Sequence, residues 1–220
     1  MGDWLSTALQ DRYWIADLAA GVVSFAGFAA YNIQLLRRTA SDPQSSAKGR
    51  HAAARRAWVH MMAGGGHDLL AIHTMRNWIM SSTFLASTAI LFALGLLAAA
   101  FTSDKLSAFA HALNLLGSTS QGLWLFKSLA LVVAFVLAFY AFVLAVRAFV
   151  HFGFMINVIG SQDRGVAATN AADELERGAT QYWIGMRCYY AAAPLALWLF
   201  GPLWMLFGTL ALIWVLRHVD

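Results

Sequence analysis

The chain contains few of the residues on which soluble and secreted domains depend. Only 12% of its 220 residues are charged, it has a single cysteine, and it has three prolines. One cysteine excludes a disulfide framework within the chain and any multi-cysteine metal cluster. Acidic residues are also scarce inside the long apolar segments, where they are typical of proton- or cation-coupled transporters. The exception is Asp17, whose place near a segment end favours interfacial hydration.

Apolar residues are in excess. They make up 60% of the chain, nine tryptophans among them, against about 45–50% in a typical soluble domain. A transmembrane helix needs about 20 consecutive, mainly apolar residues, and four segments qualify. They are 15–36, 78–101, 128–146 and 188–216.

We therefore predict an all-α polytopic membrane protein with four transmembrane helices plus interfacial and cytoplasmic helices, forming a single membrane domain over 1–220. The last span is overlong. Pro194 and the Gly201-Pro202 pair predict a kink or tilt within it. In the first connection, 51–63 has the pattern of a helix lying on the membrane surface.

The basic residues predict the orientation. Of the 15 Lys and Arg residues, eleven fall in the connections 37–77 and 147–187, and four fall elsewhere. Because cytoplasmic loops are enriched in Lys and Arg, we expect both connections in the cytoplasm and both termini outside it, in a bacterial inner membrane. The net charge of the chain is +4. Because the basic residues flank apolar segments, the expected partner is the lipid bilayer and not nucleic acid.

The second span opens with the sequence "RNWIMSSTFLAST", which is unusually polar for a membrane helix. We number the predicted helices in chain order, with 15–36 as α1, 51–63 as α2 and the second span, 78–101, as α3. At 100° per residue, one face of α3, together with the residue before it, carries six residues at 4-3-4-3-4 spacing, which we call the α3 seam: Asn77, Ser81, Phe84, Thr88, Leu91 and Gly95. A second face carries Arg76, Thr83 and Ser87. Small and hydroxyl residues at this spacing are typical of helix packing in lipid, within one subunit or between copies.

The same residues support a second interpretation, a polar path through an oligomer. Hydroxyls such as Ser81, Thr83, Ser87 and Thr88 can replace part of the hydration shell of an ion. Arg76 lies at a helix N-terminus, which favours an anion, although such arginines also extend to lipid phosphates. The leading hypothesis is a homo-oligomer that provides a passive path for a small ion or solute, with an anion favoured.

Two alternatives remain. The α3 seam and the cytoplasmic helices could dock the chain as a non-conducting accessory or scaffold subunit, with another membrane protein as partner. A haem or metal redox protein would use His73 and His151, or His67 beside Asp68, although His67 and His73 lack the i, i+4 spacing of a helical metal pair. No cofactor and no catalytic residue is predicted, and an enzyme is not expected.

Three segments together resemble a known family. They are "TMRNWIMSSTFLASTAI" (74–90), "FVHFGFMINVIG" (149–160) and "GMRCYYAAAPLALWLFGPLWML" (185–206). They are similar to a family of four-span integral membrane proteins of bacteria and plants known only as a domain of unknown function. The resemblance implies the four-span layout, makes Arg76, Asn77, Arg187, Tyr189 and Tyr190 part of the family signature, and implies no activity.

Overall fold

The helical architecture predicted from the sequence is confirmed. The computed structural model describes residues 3–64, 68–102, 112, 114, 117, 118, 120–158 and 164–220, with side chains from residue 13 onward except at 68, 102 and 164. These residues form six α-helices and no strand: α1 Asp3–Ser41, α2 Ala47–Ala63, α3 Asp68–Thr102, α4 Gln121–Val158, α5 Arg164–Trp198 and α6 Pro202–Val219. A short 3-10 helix, Pro43–Ser45, precedes α2.

Four of the helices are long and apolar enough to cross a membrane. They contain the segments Tyr13–Ser41, Leu69–Phe101, Gln121–Val158 and Pro202–Val219. The first three include the predicted spans 15–36, 78–101 and 128–146. The bounds of the fourth prediction, 188–216, are wrong, because that stretch is divided between the end of α5 and the whole of α6.

The division falls at Gly201-Pro202, where the sequence predicted only a kink. Gly201 has a φ of 133°, a conformation that residues with a β-carbon avoid, and Pro202 starts α6 at a position that tolerates its missing N–H. Beyond the break α6 folds back on α5. A β-carbon on Gly208 would lie 2.5 Å from a terminal methyl of Leu197 and 3.4 Å from Pro194, so any larger residue there would require the Leu197 side chain to move.

The chain divides into two compact units. The first consists of Met1–Leu35, Leu91–Val136 and Cys188–Asp220, and the second consists of Leu36–Ile90 and Leu137–Arg187. The prediction of a single domain over 1–220 stays a prediction. The core of the first unit is built from α4, α5 and α6: Leu131, Ala134, Ala192, Leu195, Trp198 and Met205.

The second unit is held together by α2, which packs on α4 and α5. Val59 is fully buried in a core with Phe149, Phe152 and Leu175. Beside this core Arg55 forms a two-pronged ion pair with Glu176, with Nε 3.0 Å from Oε1. The apolar residues of 51–63 were expected to lie on the membrane surface, but Val59 and Met62 are buried in protein.

Helices α4 and α5 are antiparallel neighbours in both units. In the second unit, a β-carbon on Gly185 would lie 2.8 Å from the Phe142 ring. In the first unit, the rings of Phe135 and Tyr189 lie 5.5 Å apart, and those of Phe126 and Trp198 lie 6.0 Å apart. Helix α5 therefore runs back along α4, which the predicted four-span layout did not include.

Helices α1 and α6 of the first unit run in the same direction. A β-carbon on Gly21 would lie 3.0 Å from the Trp198 ring, just before α6 begins. At the other end of α6, the Tyr31 hydroxyl donates a hydrogen bond to the Asp220 carboxylate at 2.6 Å. The C-terminus thus lies at the end of α1 opposite to its N-terminus. The parallel course of α1 and α6 favours opposite sides for the two termini, and the prediction that both lie on one side stays a prediction.

Reporter fusions test this arrangement. Because α1 and α6 are parallel and each is long enough to cross a bilayer, reporters fused to the N- and C-termini are expected on opposite sides of the membrane. The measurement is alkaline phosphatase and fluorescent-protein activity of the two fusions in bacterial cells. Activity of the same reporter at both termini would contradict the parallel arrangement.

Candidate functional site

A buried charge pair joins helices of the first unit. Asp17 on α1 is 0% exposed and Lys127 on α4 is buried beside it. The Lys127 ammonium donates to Oδ1 of Asp17 at 2.6 Å, and the Trp198 indole donates to the same oxygen at 3.2 Å. The Ser118 amide donates to Oδ2 at 2.7 Å. Both carboxylate oxygens therefore have partners.

The loop before α4 is shaped around this carboxylate. Asn114 accepts a hydrogen bond from the Gly117 amide at 2.7 Å. A β-carbon on Gly117 would come within 2.8 Å of Asp17, so glycine lets the backbone approach the charge closely. A paired, fully hydrogen-bonded carboxylate is satisfied in a buried setting. We assign the cluster a structural role.

Asp17 was predicted to be hydrated at the interface, and this prediction is wrong. The sequence offered Lys127 as a partner, since it also lies near the end of an apolar segment. Nothing in the sequence, however, indicated that α1 and α4 are adjacent.

The predicted polar residues of α3 lie in the second unit, on the side of the helix turned away from its core. Arg76, Asn77, Ser81, Thr83 and Ser87 are exposed and Thr88 is half-buried. Ser81 lies 3.5 Å from the Tyr182 hydroxyl, and Thr88 donates to the carbonyl of Leu85 at 3.0 Å. Sequence reasoning missed the buried Ser82, which donates to the Trp78 carbonyl.

The face that α3 buries is built from small residues. Ala71, Ala86, Ala89 and Ala93 are buried there, and alanine allows helices to approach closely. The prediction that the α3 seam is a packing surface, within one subunit or between copies, stays a prediction, since the face that this chain buries most fully is the alanine face. On the α3 seam itself, a β-carbon added to Gly95 would meet nothing within 4 Å.

The polar character of the exposed face ends at Thr88. Beyond it, Leu91 is 67% exposed and Phe101 is 73% exposed, with exposed Phe92 and Leu94 between them. The stretch 89–101 is about 20 Å long at 1.5 Å per residue. The exposed surface of α3 thus carries polar side chains beside Met80 and Phe84 in the half that starts at Arg76, and it is apolar in the other half.

The family-signature residues at the start of the last predicted span are in different surroundings. Arg187 is 6% exposed, and its guanidinium lies 4.8 Å from the centre of the Trp183 ring, which Lys48 approaches to 3.7 Å. Such cation–π contacts are favourable where water is excluded. Tyr189 contacts Phe135 edge to face, and Tyr190 is exposed. Lys48 thus joins α2 to α5 through Trp183, and Arg187 lies against the same ring from its own helix.

The histidines give no metal centre among the residues described. His73 and His151 are exposed, and His67 lies outside the described residues. In the described part of the chain, no three His, Cys, Asp or Glu side chains are grouped closely enough to hold a metal ion. The prediction that the chain holds no cofactor stays a prediction.

Long apolar helices, a buried charge pair and small-residue packing define the class as a polytopic α-helical membrane protein. The model of the family described as "Protein of unknown function, DUF599" matches residues 19–220. The chain belongs to this family, as the resemblance indicated. No curated protein and no solved structure matches the chain.

The buried pair is testable by a double-mutant cycle. Lys127→Met leaves Asp17 buried without its cation and is expected to lower the free energy of unfolding by about 3–5 kcal/mol. Adding Asp17→Asn removes the stranded charge and should restore much of that loss. The measurement is reversible unfolding in detergent micelles.

Arg56→Met is the matched control, since Arg56 forms an exposed pair with Asp173 at 2.8 Å and should cost about 0–1 kcal/mol. Additive losses from the two core substitutions would contradict the assignment, because coupled partners are not additive.

Proposed function

We propose that the protein is a non-conducting assembly subunit of the bacterial inner membrane, which associates with further copies of itself through the α3 seam. The observation that carries this proposal is the exposure of Asn77 and Ser81 on a helix of membrane-spanning length. Polar side chains in a membrane helix normally face protein or a water-filled cavity. A second polypeptide covering this face would meet that requirement.

A second copy is the occupant that the α3 seam fits. Its 4-3-4-3-4 spacing is the same on both copies, as a twofold-symmetric interface requires. The open position at Gly95 allows close approach of two backbones, and interhelical hydrogen bonds from Asn77 and Ser81 would add about 0.6–2 kcal/mol each. One surface thus supplies both packing and hydrogen bonds.

The apolar second half of α3 favours assembly over conduction. A path along this helix would run from Arg76 past the hydroxyls and then meet about 20 Å of apolar surface. The Thr88 hydroxyl, at the end of the polar half, already donates to Leu85 of its own helix. An ion there would find few groups to replace its hydration shell.

A second candidate function is a passive path for a small ion or solute, with an anion favoured. It is supported by the second polar face of α3, since Arg76, Thr83 and Ser87 are all exposed there. Such a path would need other helices of an oligomer to supply polar groups beyond Thr88. Docking on a different membrane protein is the remaining form of the assembly proposal.

Five membrane crossings account for the fold and the charge distribution. If α5 crosses the membrane as it returns along α4, the C-terminus would lie on the same side as the connection 37–77 and the start of α5. Arg187 then lies within the α5 crossing, Arg217 joins the other ten basic residues of the two connections, and three remain opposite. Because Lys and Arg favour the cytoplasmic side, we assign the N-terminus to the outside and the C-terminus to the cytoplasm.

Cysteine cross-linking tests the α3 seam. In a background lacking the chain's single cysteine, Cys188→Ser, the seam variant Thr88→Cys is expected to form a disulfide with its own copy. Ser87→Cys, one residue off the seam, should form little. A disulfide needs Cα atoms about 4.4–6.8 Å apart, so only residues at the interface qualify. The measurement is oxidative cross-linking in native membranes.

The variant Gly95→Leu gives an independent test. Its larger side chain should keep two copies apart without disturbing the fold of the single chain. Gly153→Leu is its control, since a β-carbon on Gly153 likewise meets nothing within 4 Å. Equal cross-linking at positions 87 and 88, or copies that stay together with Gly95→Leu, would contradict self-association through the seam.

Flux into liposomes separates the two candidate functions. As an assembly subunit, the wild-type protein is expected to raise halide permeability no more than empty liposomes show. Under the second candidate, halide flux exceeds that background and falls with Arg76→Gln, which removes the positive charge at the entrance. The measurement is quenching of an entrapped halide-sensitive dye. Flux that depends on Arg76 would overturn the non-conducting assignment.

A further inference from the structure

The surface of the second unit contains a groove between α4 and α5, separate from the α3 seam. Its volume is about 570 Å³, within the range of about 300–1,000 Å³ typical of sites for small organic ligands. Both charged and apolar side chains line it, among them Arg147, His151, Glu174, Arg177, Leu144 and Phe154. The groove is therefore amphipathic.

The helical period places the polar groups opposite each other. Arg147 and His151 are one turn apart on α4, so their side chains lie on the same face. Glu174 and Arg177 are three residues apart on α5 and form an ion pair at 3.3 Å. The two helices thus direct an arginine each into one groove.

The charge in the groove is positive overall. Glu174 is the one acid among the groove residues, against Arg147 and Arg177. The Arg177 side chain is 78% exposed, which leaves several of its five donors open to a second acceptor. Among the described residues, Arg147 forms no ion pair. The groove therefore has unused capacity to bind an anion.

The apolar lining continues away from the charges along α4. Leu137, Tyr140 and Leu144 are exposed at i, i+3 and i+7, which places them in a row leading to Arg147. Arg147 also ends the apolar segment of that helix, the depth at which lipid phosphates lie. On the far side of the charges, Phe154 is 71% exposed. A row of apolar side chains below a pair of arginines matches an acyl chain below a phosphate.

We propose that this groove binds an anionic glycerophospholipid of the leaflet into which it opens. Arg147 and Arg177 contact the phosphate as charge-assisted donors, since guanidinium groups match phosphate oxygens. Leu144 and the row preceding it contact an acyl chain. A basic pocket between transmembrane helices is a suitable environment for an anionic lipid headgroup.

Native mass spectrometry of the detergent-purified full-length chain tests the site with defined lipids. Wild-type protein is expected to retain phosphatidylglycerol in preference to phosphatidylcholine. In the double variant Arg147→Gln/Arg177→Gln, phosphatidylglycerol retention should fall about 10- to 30-fold, since each basic residue near a lipid surface contributes about 1 kcal/mol. Arg56→Gln, an exposed arginine of the same unit paired with Asp173, should leave retention unchanged.

Two further arms keep the proposal falsifiable. The double variant is expected to keep its melting temperature in micelles, so that a loss of retention can be attributed to the groove. Unfolding of that variant would overturn the assignment of both arginines to a ligand. Inorganic phosphate at millimolar concentration is expected not to displace phosphatidylglycerol. Displacement by phosphate, equal retention of phosphatidylcholine, or equal retention by the double variant would each overturn the lipid assignment.

Discussion

The buried pair of Asp17 and Lys127 is the constraint on which the first unit depends. A charge removed from water must lie within hydrogen-bond distance of its partners, so the register between α1 and α4 is fixed at this point. The Trp198 indole, bound to the same carboxylate at 3.2 Å, fixes where α5 ends. Because α6 starts just beyond it, the parallel course of α1 and α6 begins at this cluster.

Composition and hydropathy predicted the helical fold and three of the four spans, because long apolar stretches have few structural alternatives in lipid. They missed the return of α5 because Gln181 and Arg187 interrupt its apolar pattern. In the structure the charge of Arg187 is accommodated because its side chain is buried against the Trp183 ring. A sequence shows that a charge is present in a helix, but it does not show which ring or carboxylate will lie next to it.

The candidate site was predicted in part for a similar reason. Helical periodicity correctly grouped Asn77, Ser81 and Thr88 on one face, because the period of an α-helix depends only on the backbone. It could not tell which face the protein buries. The buried face is the one that carries alanines such as Ala89 and Ala93, which let a neighbouring helix approach closely. Alanine does not differ enough in hydropathy from the residues around it to mark that face in the sequence. Partners distant in sequence, such as Asp17 and Lys127, were missed because only the tertiary fold makes them adjacent.

The two units differ in the chemistry that they present. In the first unit, the buried carboxylate of Asp17 has hydrogen-bond partners for both of its oxygens. The second contains the features with unused binding capacity, namely the polar half of α3 and the basic groove of α4 and α5. It also contains the ion pairs that hold α2 on α5, such as that of Arg55 with Glu176. The groove of the lipid proposal lies in the second unit, whereas the seam of the association proposal includes Ser81 and Thr88 of the second unit and Gly95 of the first.

The most direct test of self-association is the copy number of the wild-type chain in its own membrane lipids, measured by native mass spectrometry of gently extracted patches. We predict a closed assembly of identical chains with no second polypeptide. A single chain, or a fixed ratio to a different protein, would contradict assembly through a second copy of α3.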